Sequence, residues 1–137
     1  MTVLIAVGNT LRRDDGAAHR VLELLKPPAG VVTFSCHQLT PEMAEEIAPA
    51  ETVIIIDADV APGEPRLEKV EEHPDNPLTH VVRPAELVAL SRSLFSFRGG
   101  AWLCRVPGID FGQGAGLSAE AEANARIAAD LLRRFLA

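Results

Sequence analysis

The amino-acid sequence predicts an α/β fold: a three-layer α/β/α sandwich around a mostly parallel sheet of about five or six strands. Three observations carry this. Apolar, β-branched runs such as TVLIAVG (2–8) and TVIIID (52–57) stop abruptly, as strands buried on both faces do. Segments of helical period separate them. Strict alternation of the two then calls for parallel pairing through right-handed crossovers.

Each element can be justified in turn. TVLIAVG is the first strand, ended by glycine. From Asp15 the period changes, and Ala18, Val21, Leu22 and Leu25 share one helical face until KPPAG (26–30) stops the helix. VVTFSCH (31–37) is a second strand. TPEMAEEIAPA (40–50) opens a helix with Thr40 as N-cap and Pro41 at the first helical position. TVIIID is the strongest strand and ends on Asp57. APGEPRLEKVEE (61–72) reads as a turn and a short charged strand suited to a sheet edge. HPDNPLTHVV (73–82) is a proline-rich loop, PAELVALSRSLF (84–95) an amphipathic helix and GAWLCRVPG (100–108) a strand. SAEAEANARIAADLLRRFL (118–136) closes the chain as a helix capped by Ser118.

At 137 residues the chain fits one compact domain, 1–137, and its 47% hydrophobic content can fill a core, which argues against disorder. A formal charge of −6 speaks against a nucleic-acid partner. The doublets Arg12–Arg13 and Arg133–Arg134 read as solvated helix ends. Cys36 and Cys104 lack the spacing of a zinc knuckle or a redox pair and read as buried free thiols. The start of the chain lacks the basic region of a signal peptide, and no apolar run reaches the ~18 residues that cross a bilayer. The expectation is a soluble, cytoplasmic protein without a membrane partner.

In parallel sheets ligands sit beyond the C-terminal ends of the strands. Asp14 and Asp15 follow the first strand, His37 ends the second and Asp57 the third, and the loop carrying His80 can reach the same rim. Either Asp14 or Asp15 can cap the first helix and complement its dipole, worth ~1 kcal/mol. Both cannot, so one carboxylate is left over. Two carboxylates and an imidazole on one rim suit a metal site with open positions. His19, four residues after Asp15, is read as solvent-exposed.

Other chemistries fit less well. The first turn lacks the G-x-G-x-x-G of a dinucleotide fold. A receiver-like phosphoacceptor domain needs a lysine ending the last strand, and the only lysines are Lys26 and Lys69. There is no G-x-S-x-G elbow, and GQGAG (112–116) lacks the Lys-Ser/Thr of a P-loop.

These residues resemble the maturation endopeptidases of nickel–iron hydrogenases. The family opening, G-N-x-L-x-x-D-[DE]-G after the first strand, is matched by Gly8, Asn9, Leu11, Asp14, Asp15 and Gly16. The third-strand signature is matched by Ile55, Ile56, Asp57 and Ala58. A histidine before an amphipathic helix is matched by His80, Leu87 and Leu90. PGIDFGQGAGLS before the last helix is also similar to the family. Two positions depart from it: Ala18 and His19 stand where a second glycine is usual, and HQLTPE (37–42) stands where many members carry an aspartate and glycines. The second departure reads as a subtype.

The resemblance implies an α/β/α sandwich whose catalytic metal ligands are Asp15, Asp57 and His80. Asn9, Asp14 and His37 would support them or touch substrate. It implies an endopeptidase that removes the C-terminal extension of a hydrogenase large-subunit precursor once nickel is inserted. The nickel would arrive with the precursor, leaving the isolated protein metal-free. The competing expectation is a non-catalytic nickel-sensing or precursor-binding module of the same fold.

Overall fold

The structure, a computed structural model, describes residues 1–71 and 82–137. Among the described residues five strands form one sheet: β1 (Thr2–Val7), β2 (Val31–Cys36), β3 (Thr52–Asp59), β4 (Arg66–Lys69) and β5 (Gly100–Pro107), in the order β2-β1-β3-β5-β4. β1 pairs in parallel with β2 and β3, and β3 with β5, while the charged edge strand β4 runs antiparallel to β5. The predicted fold class is borne out. The proline-rich loop expected over 73–82 lies almost entirely outside the described residues.

Four α-helices among the described residues cover the sheet: α1 (Ala17–Leu25), α2 (Met43–Ile47), α3 (Pro84–Phe95) and α4 (Ala119–Leu136). Strand side chains alternate between two cores, as the pleat requires. Leu4, Ala6, Ile54, Ile56, Cys104 and Val106 pack under α1 and α4. Val3, Ile5, Val7, Val53, Ile55 and Ala101 pack under α2 and α3. The central strands β1 and β3 are therefore buried on both faces, which is why they read as continuous apolar runs.

Two boundaries differ from the sequence reading. β3 does not end on Asp57. It continues to Asp59, because β5 supplies partners as far as Pro107. The second helix does not start at Thr40: two turns, closed by Met43 N to Thr40 O and Ala44 N to Pro41 O, precede a shorter α2 with no side-chain cap. The Thr40 side chain bonds the Glu42 carboxylate and lowers its pKa instead. Ser118 does cap α4, accepting from Ala121 N at 3.1 Å.

β1 lies between β2 and β3, and the connections from β1 to β2 and from β2 to β3 cover opposite faces of the sheet. The crevice beyond β1 and β3 is the topological switch point of the fold, where ligands bind in such sheets.

Candidate active site

The first wall of the crevice is the turn after β1. Gly8 has φ +150°, and a Cβ there would stand 1.9 Å from the Asp15 carbonyl oxygen. Only glycine lets the 3-10 turn Arg13–Gly16 fold back onto the strand end. Asn9 shapes the loop between them: its side-chain oxygen accepts from Leu11 N at 2.9 Å, and its backbone N donates to Asp15 Oδ2 at 2.7 Å. Gly8 and Asn9 of the opening motif are therefore explained by local geometry. They build the seat of a half-buried Asp15 carboxylate at the mouth of the crevice.

Asp14 faces the other way and is fully buried. It does not cap the helix it precedes, since no side-chain bond caps either the 3-10 turn or α1. Its Oδ2 accepts from Ile109 N and Asp110 N, both at 2.9 Å, and from the Ser118 hydroxyl at 2.7 Å. Its Oδ1 accepts from Ser118 N at 2.7 Å. Burial raises the Asp14 pKa, but these bonds outweigh it and hold the group below the usual aspartate value. Asp14 thus ties the turn after β1 to the loop between β5 and α4.

The arginine doublet serves the same junction instead of forming a solvated helix end. Arg12 donates to Phe111 O at 3.2 Å, and Arg13 pairs with Asp110 at 2.9 Å.

The second wall is β3. Asp57 stands opposite Val7, the last residue of β1, so its neighbour strand ends where its carboxylate begins. Burial and then the charge of Asp15 push its pKa up to about 6, with Arg105 and the Ala58 N–H acting against them. Arg105 is its register partner on β5. Two residues on, Asp59 faces Arg66 at 3.3 Å and Arg105 at 4.0 Å, and both arginines bind Glu68. Sequence reasoning missed this ion network because it ended the strand at Asp57. Extending the strand by two residues puts Asp59 on the same face as Asp57.

The structure therefore brings Asp15 near enough for its charge to act on Asp57, with the Asn9 N–H on Asp15, while Asp14 is turned to the loop before α4. His37 is exposed just past β2 and does not complete a three-ligand group with them: among the described residues no three His, Cys, Asp or Glu side chains gather as metal ligands do. His80 lies outside the described residues. The aspartate pair still suits a cation as hard oxygen donors, since a carboxylate pushed up by burial and by a neighbouring carboxylate's charge is relieved by positive charge.

His19 is not solvent-exposed as expected. It is half-buried, and its Nε2 lies 2.8 Å from Gly8 O. Of the two cysteines, Cys104 is fully buried, and burial pushes its thiol up to about 12. Cys36 is half-buried, its thiol raised by burial and by the charge of Asp57.

No protein-family model and no curated protein matches the chain. Solved structures do. The chain is similar to the hydrogenase maturating endopeptidase HybD from E. coli (TM-score 0.78, 23% identity, covering 99% of this chain and 92% of that one). It is similar to the hydrogenase maturation protease HycI from Thermococcus kodakarensis (TM-score 0.78, 19% identity, 98% and 91% covered). A hydrogenase 2 maturation peptidase from a Thaumarchaeota archaeon gives a TM-score of 0.67 at 26% identity, with 99% and 98% covered. The chain thus shares the fold of the nickel–iron hydrogenase maturation proteases.

Proposed function

We propose that this chain is an endopeptidase that removes the C-terminal extension of a nickel-loaded hydrogenase large-subunit precursor. The observation that supports it best is the pairing of Asp15 and Asp57 at the switch point between β1 and β3, in a fold shared with maturation proteases. The nickel belongs to the substrate. When present it supplies Lewis acidity to the scissile carbonyl and lowers the pKa of bound water.

The chain's own residues receive that ion. Asp57 must lose a proton that it holds up to about pH 6, and Asp15 offers a carboxylate whose orientation the Asn9 N–H sets. His80 is the third ligand in this reading. Because the ion arrives with the precursor, nickel loading becomes the checkpoint for cleavage. No helix among the described residues is long and apolar enough to cross a membrane, and the two cysteines are free thiols. We place the protein with its precursor in the cytoplasm.

The test mixes the purified chain with nickel-loaded and nickel-free precursor and follows the precursor's mass. Loss of a C-terminal peptide from the loaded form alone is the expected result, and His80→Gln should abolish it. A stable complex without cleavage would make the chain a precursor-binding module and overturn the catalytic reading.

A further inference from the structure

One peptide unit, between Gly8 and Asn9, is held from both of its ends by a single helical segment. Its carbonyl oxygen lies 2.8 Å from His19 Nε2, and its N–H donates to Asp15 Oδ2 at 2.7 Å. A carbonyl oxygen only accepts, so Nε2 carries the proton in this contact. The peptide is trans and planar, so its C=O and N–H point in opposite directions. Fixing the carbonyl therefore fixes where the N–H aims. Gly8, at φ +150°, has the freedom to let this plane turn, and a turned plane would present its carbonyl to the Asp15 carboxylate.

We propose that His19 is a positioning residue for Asp15: by donating from Nε2 to Gly8 O it locks the Gly8–Asn9 peptide so that the Asn9 N–H orients the Asp15 carboxylate. This role rests on the reading of Asp15 as part of the reactive site. It also accounts for a polar, half-buried side chain on α1, where it lies one turn beyond Asp15. The helical spacing puts the two side chains on one side of the segment, and the peptide unit bridges them.

The test compares His19→Ala with His19→Gln in the full chain. The Gln side-chain amide can donate where Nε2 does, whereas Ala cannot. The Asn9 amide is followed by NMR in labelled protein, and the affinity for nickel(II) ion is measured by calorimetry, with denaturant midpoints as a control on folding. We expect the His19→Ala variant to lose the low-field, slowly exchanging Asn9 amide and to bind nickel about tenfold more weakly. The Gln variant should retain both within a small factor. An Asn9 amide and a nickel affinity unchanged in His19→Ala would overturn the assignment, as would a folded Gln variant no better than Ala. If the wild-type chain takes up no nickel without its precursor, the Asn9 amide alone decides the role of His19, and its persistence in His19→Ala overturns the assignment.

Discussion

Asp14 and Ser118 stand 104 residues apart in the chain, yet the Asp14 carboxylate accepts both the backbone N–H and the hydroxyl of Ser118, each at 2.7 Å. The same hydroxyl accepts from Ala121 N, so the cap of α4 and the turn after β1 are one hydrogen-bonded unit. An acid next to a site residue is here a structural lock.

Removing it should be costly. Asp14→Ala leaves three part-buried N–H donors and a hydroxyl without their acceptor, and should destabilise by about 3 kcal/mol in denaturant midpoints. Asp14→Asn keeps one acceptor oxygen and should lose about 2 kcal/mol. The sign with pH follows from the lowered pKa. Asp14 contributes stability above the ordinary aspartate range, which is lost as pH falls through its folded value. The Asn variant should therefore show a flatter acid limb than wild type.

Asp57→Asn should separate stability from activity. A carboxyl raised to about 6 binds more protons folded than unfolded between its two pKa values, so folding weakens as pH rises through that window. Above it the charge remains as a cost. The variant should gain about 1–2 kcal/mol at neutral pH without nickel and lose the pH 4–6 slope, while processing stops. A variant that is no more stable than wild type, or that still trims precursor at the wild-type rate, contradicts the placement of Asp57.

Asp15→Asn tests the opposite behaviour. The amide keeps an oxygen for the Asn9 N–H, so stability should change by less than about 0.5 kcal/mol. Nickel affinity and processing should both collapse. The adjacent aspartates thus fail differently, one in stability and the other in chemistry. Parallel calorimetry and unfolding curves read out both.

Gly8→Ala should fail in both respects. A Cβ at 1.9 Å from the Asp15 carbonyl forces the 3-10 turn away from β1, and the positive φ adds strain. A loss of about 2–4 kcal/mol and an Asn9 amide released from Asp15 are the expected outcomes, seen in midpoints and in amide exchange.

The strands and the helices over 84–95 and 118–136 were legible because burial on both faces writes long apolar runs and helical stripes into the sequence. The cap at Ser118 was legible because a hydroxyl before a helical run has one local job. Thr40 carried a similar signal and did not cap, since its side chain found Glu42 nearby. Asp59 and Arg105 were missed because strand length depends on the partner strand, and β5 extends past the end of β1.

The sequence by itself determined the layered fold, the rim beyond the strand ends and the acids Asp14, Asp15 and Asp57 that stand near it. Those properties come from periodicity and from position at strand ends, which are local along the chain. Only the tertiary structure decided which neighbour of the acidic pair faces the crevice, that Asp14 belongs to Ser118, and that His19 reaches Gly8 instead of water. Two adjacent carboxylates look alike in sequence. They part company because a buried carboxylate must find donors, and those donors come from the loop that leads into α4 at the far end of the chain.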